Sequence, residues 1–244
     1  MKVFRILILS TVFQIGSLFA GEANPAAVSE PQKAKWAQKF WMPRHESIIQ
    51  EIKKNKGQFD LILIGDSITQ GWQGKAARNA LAKDFKGKKI LNLGFKGDYT
   101  GHVLWRLQNG ELEGVSAEVA VIMIGTNNTT RGDSSSQTAE GVKLIVEEVK
   151  KRLPESRILL ISVFPRSAPD HKFRKINTGI NEIIQKYADQ KSVFWFDMTP
   201  NLTVAKGELN AEFFARDQLH IRDKGYEMWS AKMKEEISKI LSTK

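Results

Sequence analysis

Hydrophobic positions in this chain fall into short, nearly continuous runs, which alternate with amphipathic stretches in which they recur every three or four residues. These nearly continuous apolar runs lie within 59–64, 89–93, 118–124, 157–163 and 193–197 and predict strands. The amphipathic stretches, 75–84, 102–107, 138–152, 173–188 and 224–241, predict helices; in 138–152, Val142, Ile145, Val146 and Val149 share one helical face. Strands that are apolar at nearly every position must be buried on both sides. Their alternation with helices therefore predicts a parallel sheet covered on both faces in one α/β domain. No internal repeat and no Pro- or Gly-rich linker interrupts 59–241.

The N-terminal part is organised differently. Lys2 and Arg5 precede an uncharged, mostly apolar run that ends in small residues at Ala20, the pattern of a secretory signal peptide over 1–20. That run is short against the roughly 20 apolar residues of a membrane span. Residues 21–31 are small and polar and read as a flexible leader. Helical spacing returns in 32–55, where Trp36 and Phe40 are four apart and Ile48, Ile49 and Ile52 cluster on one face; Pro43 is expected to split this region in two. The folded domain is thus expected over 32–244, with a helical extension at its start.

Composition narrows the chemistry. With 244 residues, 41% of them hydrophobic, the chain can bury one sizeable core. The absence of cysteine excludes thiol nucleophiles, disulfides and Cys-based metal sites, and with the leader it fits a secreted or periplasmic protein of a bacterial envelope. Net charge is +10, or +8 once Lys2 and Arg5 are removed with the signal. The lysines are scattered rather than interleaved with aromatic residues, so nucleic acid is not the expected partner. No membrane span is expected once the signal is gone.

In sheets of this kind ligands bind outside the carboxyl ends of the strands, and there the sequence changes character. Gly65-Asp66-Ser67 follows the first strand, Gly94-Phe95-Lys96-Gly97-Asp98 the second, and Gly125-Thr126-Asn127-Asn128 the third; Asp217-Gln218-Leu219-His220 precedes the last helix. Ser67 alone reads equally as a helix cap. With His220 as a base of suitable pKa and Asp217 to orient it, Ser67 becomes a candidate nucleophile. The oxyanion formed by its attack would take hydrogen bonds from the N–H groups of Ser67 and Gly97 and the side-chain amide of Asn127. Glycine at 97 would let the backbone approach a substrate closely.

These four ordered blocks resemble those of the SGNH, or GDSL, hydrolase superfamily, from about Phe59 to the last helix. The run from Gly97 through Leu107, with Asn109-Gly110-Glu111-Leu112, is most similar to the branch of the platelet-activating-factor acetylhydrolase catalytic subunits. The resemblance implies a three-layer αβα sandwich on a flavodoxin-like five-stranded parallel sheet, with no metal or organic cofactor. It implies a catalytic set of Ser67, Asp217 and His220 and an oxyanion hole of Ser67, Gly97 and Asn127. It also implies a serine esterase that removes short acyl groups, above all acetyl, from acetylated carbohydrates or short-chain lipid esters; the branch forms dimers, so a homodimer is admitted. Ile68 stands where the family often has Leu, and Asn128 where it often has Asp; the branch tolerates the second change.

The competing reading is a non-catalytic module, flavodoxin-like or glycan-binding, that uses the same sheet edge; it leaves the Asp217–His220 pair without a role. Gly74-Lys75 lacks the upstream glycine of a phosphate loop, His45-Glu46 lacks a second histidine at metalloprotease spacing, and no Gly-x-Ser-x-Gly elbow occurs. The stretch Trp41-Met42-Pro43-Arg44-His45-Glu46 is expected to serve packing.

Overall fold

The computed structural model describes residues 23–242; the signal expected over 1–20 lies outside the described residues. All five expected strands form, with ends shifted by one or two residues: β1 (Leu61–Gly65), β2 (Ile90–Gly94), β3 (Val119–Met123), β4 (Arg157–Ile161) and β5 (Val193–Phe196). They pair in the order β2-β1-β3-β4-β5, every pair parallel. The chain therefore reverses its direction of progress between β1 and β3, and the crevice at their carboxyl ends is the topological switch point where such sheets bind ligands.

Alternation along the strands sends side chains to opposite faces, and each face has its own core. On one side Ile62, Ile64, Leu93, Ile122 and Leu160 pack with Trp41, Val142 and Ile145; on the other Leu61, Leu63, Val121, Met123 and Leu159 pack with Trp72, Trp229 and Met233. The helices that cover the first face are α1 (Trp41–Lys54), α4 (Thr100–Arg106), α6 (Ser135–Arg152) and α7 (Lys172–Ile184); α3 (Lys75–Asp84) and α9 (Asp223–Ser242) cover the second. This is the expected three-layer αβα sandwich. Among the described residues no helix is long and apolar enough to cross a membrane.

Three short helices escaped the periodicity: α2 (Ser67–Gln70), α5 (Thr126–Arg131) and α8 (Thr199–Leu202). Each is too short to show a repeating apolar face. Pro43 does not divide the N-terminal helix. It lies in the first turn of α1, where the N–H that proline lacks has no intrahelical acceptor anyway. Residues 35–40, by contrast, form turns rather than the expected helix.

The described part of the 21–31 leader is tied down at several points. Asn24 Nδ2 donates to the Gln137 carbonyl at 3.0 Å and to Glu140 Oε2 at 2.7 Å, and Thr100 Oγ1 donates to the Ala26 carbonyl at 2.6 Å. Ala26 and Ala37 are fully buried. Small polar composition, which suggested flexibility, here serves close approach to α4 and α6. The segment 23–40 is a strap across the carboxyl edge of the sheet.

Candidate active site

Ser67 opens α2 immediately after β1. Its predecessor Asp66, rather than Ser67, caps this helix: Asp66 Oδ1 accepts the Ile68 N–H at 2.9 Å. Ser67 N–H, at the first helical position, has no acceptor within the helix. Gly65 makes this tight turn feasible, because a Cβ there would lie 2.2 Å from Thr69 Oγ1 and 2.3 Å from the Met123 carbonyl. Asp66 is fully buried, and burial pushes its carboxyl up to about 6 against the pull of the Ile68 N–H and the nearby His220 and Arg166.

Ser67 Oγ lies 2.9 Å from His220 Nε2, although 153 positions separate the two residues. His220 Nδ1 lies 2.7 Å from Asp217 Oδ2. A carboxylate only accepts, so Nδ1 carries the proton and Nε2 is left to accept from the Ser67 hydroxyl. Asp217 is itself fixed, its Oδ1 accepting the N–H groups of Leu219 and His220, both at 3.0 Å. Burial works against the Asp217 charge, but the His220 imidazole and these backbone donors outweigh it and hold its carboxyl below the usual range. The loop closes on itself through the Ala215 N–H to the His220 carbonyl at 2.8 Å, and Tyr226 Oη on α9 donates to the Ile68 carbonyl at 2.7 Å, locking the last helix to α2. His220 and Asp217 are 42% and 49% exposed at the side chain, so this chain of hydrogen bonds opens directly to solvent.

Gly97 occupies the turn 95–98, closed by the Asp98 N–H to the Phe95 carbonyl at 3.2 Å. Its φ of +76° is what the third position of such a turn demands and what glycine supplies without strain. Asn127 sits in the first turn of α5, after β3. Its Nδ2 donates one hydrogen to the Asp98 carbonyl at 3.0 Å, while the other meets only Asp66 Oδ2 at 3.5 Å. The structure thus brings all five expected residues, Ser67, Gly97, Asn127, Asp217 and His220, to the carboxyl edge of the sheet. Ser67, His220 and Asp217 are joined directly; Asn127 reaches the Gly97 turn through Asp98.

Sequence reasoning gave no role to Asp98, Arg106 and Glu111, which lie beneath this edge. Asp98 is fully buried and accepts from Trp41 Nε1 at 2.7 Å and Arg106 Nε at 2.8 Å. Burial pushes its carboxyl up to about 7, with Arg106 pulling it back. Arg106, also fully buried, pairs in addition with Glu111 and donates to the carbonyls of Leu93 at 3.2 Å and Gly65 at 3.4 Å. Its guanidinium lies 3.8 Å over the Phe95 ring, and Glu111 Oε1 faces His45 Nδ1 at 2.9 Å. One buried arginine therefore ties together the ends of β1 and β2, the strands that carry Ser67 and the Gly97 turn. Arg166 does the same for α5, donating to the Thr126 carbonyl at 3.2 Å and to Thr130 Oγ1 at 2.9 Å. Trp41 and His45, expected to serve packing, do so as members of the Asp98–Arg106–Glu111 cluster.

Comparison with known proteins agrees with this fold. Residues 63–228 match the model of the GDSL-like lipase/acylhydrolase family. The alpha1 subunit of human platelet-activating factor acetylhydrolase IB is 31% identical over 208 residues, covering 85% of this chain and 87% of the relative. Among solved structures, a GDSL-like lipase of Bacteroides thetaiotaomicron superimposes with a TM-score of 0.61 at 20% identity, over 82% of this chain and 97% of its own. An acetyl-xylooligosaccharide esterase of Geobacillus does so with a TM-score of 0.63 at 17% identity, over 73% and 94%.

Proposed function

The chain belongs to the GDSL-like lipase/acylhydrolase family and is an ester hydrolase; from that premise we propose that Ser67 is its nucleophile, His220 its general base and acid, and Asp217 the residue that orients His220. The observation that carries this reading is the continuous hydrogen-bond path from Ser67 Oγ through both nitrogens of His220 to Asp217, at 2.9 and 2.7 Å.

Ser67 Oγ attacks the ester carbonyl carbon as its proton passes to His220 Nε2. The imidazolium so formed is stabilised by Asp217 on its Nδ1 side. The carbonyl π electrons move to oxygen, and this oxyanion takes hydrogen bonds from the N–H groups of Ser67 and Gly97 and from the second hydrogen of the Asn127 amide, which Asp66 holds only loosely. Collapse of the intermediate breaks the bond to the alcohol oxygen, which leaves with the proton from His220. Water then attacks the acyl-enzyme, giving its proton to His220, and Ser67 departs reprotonated.

The acyl group is short, acetyl above all, and the alcohol is a carbohydrate or a short-chain lipid. The acetylhydrolase name of the human relative and the acetyl-ester substrate of the Geobacillus esterase support this. The basic, apolar and small-residue pattern of 1–20 supports export to the bacterial envelope or beyond. The test is a panel of acetyl, butyryl and octanoyl esters, followed by acetylated xylan and an acetylated lipid analogue. Fastest turnover of acetyl esters, abolished in Ser67→Ala, is expected; preference for octanoyl esters would overturn the short-acyl assignment.

A further inference from the structure

The strap 23–40 ends in an aromatic pair that the chemistry above does not use. Trp36 is 53% exposed, the most exposed large hydrophobic side chain among the described residues. The tip of its six-membered ring lies against Gly97: a Cβ at that position would be 2.2 Å from Trp36 Cη2. Phe40 backs it with ring centroids 5.7 Å apart and planes tilted by 33°. The strap on either side of it is anchored as well. Ala37 is fully buried, the Gln32 side chain accepts the Ala34 N–H at 3.0 Å, and Gln32 Nε2 reaches the Gly97 carbonyl at 3.4 Å and His102 Nδ1 at 3.3 Å.

A large apolar ring left in water, pre-positioned on the loop that faces the reacting carbonyl, is a surface for the substrate. Its shape distinguishes between substrate portions. An acyl chain lying on an open ring would stay wet on its other side and recover little of its transfer free energy. A pyranose has one C–H face for the ring and a polar periphery that stays in water. The surroundings are polar too: Lys33, Lys35 and Lys39 are exposed nearby in the chain, and exposed Lys96 directly precedes Gly97.

We infer that Trp36, backed by Phe40, is a stacking platform for a sugar ring in the alcohol portion of the ester, which makes the substrate class acylated saccharides. This rests on Ser67 as the acylated centre. Trp36 is a specificity determinant, its indole touching the substrate but not the reacting atoms.

The test compares the full chain with Trp36→Ala and Trp36→Tyr on an acetylated xylo-oligosaccharide and on ethyl acetate, which has no ring, and monitors thermal unfolding of each. The quantity read is the ratio of kcat/KM for the sugar ester to that for ethyl acetate. Trp36→Ala should lower this ratio about 5- to 10-fold, the size of one aromatic stacking contact, almost entirely through KM; Trp36→Tyr should restore most of it. A proportional loss on both esters would mean that Trp36 only shapes the Gly97 turn, and a rise on both that it merely obstructs the site; either overturns the inference. So would a wild-type enzyme that cleaves ethyl acetate but not the sugar ester, a result that leaves the Ser67 reading standing. Failure to cleave any ester, with Ser67 unreactive, would remove that reading and this inference together.

Discussion

Asn127 donates a side-chain hydrogen to the Asp98 carbonyl at 3.0 Å, so the residue after Gly97 fixes the plane of the amide proposed for the oxyanion hole. The carboxylate of Asp98 is gripped in turn by Trp41 and Arg106. The proposed oxyanion donors thus rest on a buried ionic cluster rather than on loop geometry alone.

Removing the amide separates its two uses. Asn127→Ala should lower kcat by about 10²–10³, the effect of losing one preorganised oxyanion donor. Stability should fall by only about 1 kcal/mol, for the lost bond to Asp98. Steady-state kinetics with an acetyl ester and urea denaturation of the same sample check both. Near-wild-type kcat would remove Asn127 from the oxyanion hole.

The cluster beneath should behave oppositely. Arg106→Met leaves Asp98 and Glu111 buried without their cation and should cost about 3–5 kcal/mol of unfolding free energy. A loss under about 1 kcal/mol in chemical denaturation would contradict the role given to this arginine.

Asp217→Asn tests the tautomer of His220. The Asn oxygen can still accept from Leu219 and His220, but its amide cannot take the Nδ1 proton without turning away from them. We expect kcat to fall by about 10³–10⁴ with the fold unchanged. Retained activity would show that His220 is oriented by something else.

His102 gives the fold a pH dependence. Its Nδ1 accepts the Tyr99 N–H at 3.2 Å and lies 3.3 Å from the Gln32 amide, so the ring is neutral and its 3.7 Å approach to Asp98 is no ion pair. Burial lowers its pKa from the ordinary 6.5 to about 4, with Glu30 opposing. The unfolded chain therefore takes up the proton first as pH falls. Stability from this group is complete above about pH 6.5 and is lost on descent towards pH 4, on the order of 3 kcal/mol. Urea midpoints of His102→Gln should fall less than those of the wild type between pH 7.5 and 5; parallel curves would contradict this.

How much of this was legible in the sequence follows physical lines. The strands were, because burial on both faces leaves an unbroken apolar run such as 119–123. The gathering of the five candidate residues at the sheet edge was, because small, polar and titratable types cluster after those runs. Pro43 misled because the same residue breaks a helix interior and opens a first turn. Arg106 was invisible because nothing in a sequence marks a charged residue as fully buried. Trp36 and Phe40 carried a helical spacing, but the chain forms turns there, and the position of Trp36 against Gly97 is a tertiary contact across 61 residues.

The most direct measurement of the Ser67–His220–Asp217 assignment is covalent labelling with a fluorophosphonate, located by peptide mass spectrometry. The adduct is expected on Ser67 in the wild type, absent in Ser67→Ala and strongly slowed in His220→Ala, with acetyl-ester turnover lost in step. An adduct on another residue, or full turnover by Ser67→Ala, would contradict it.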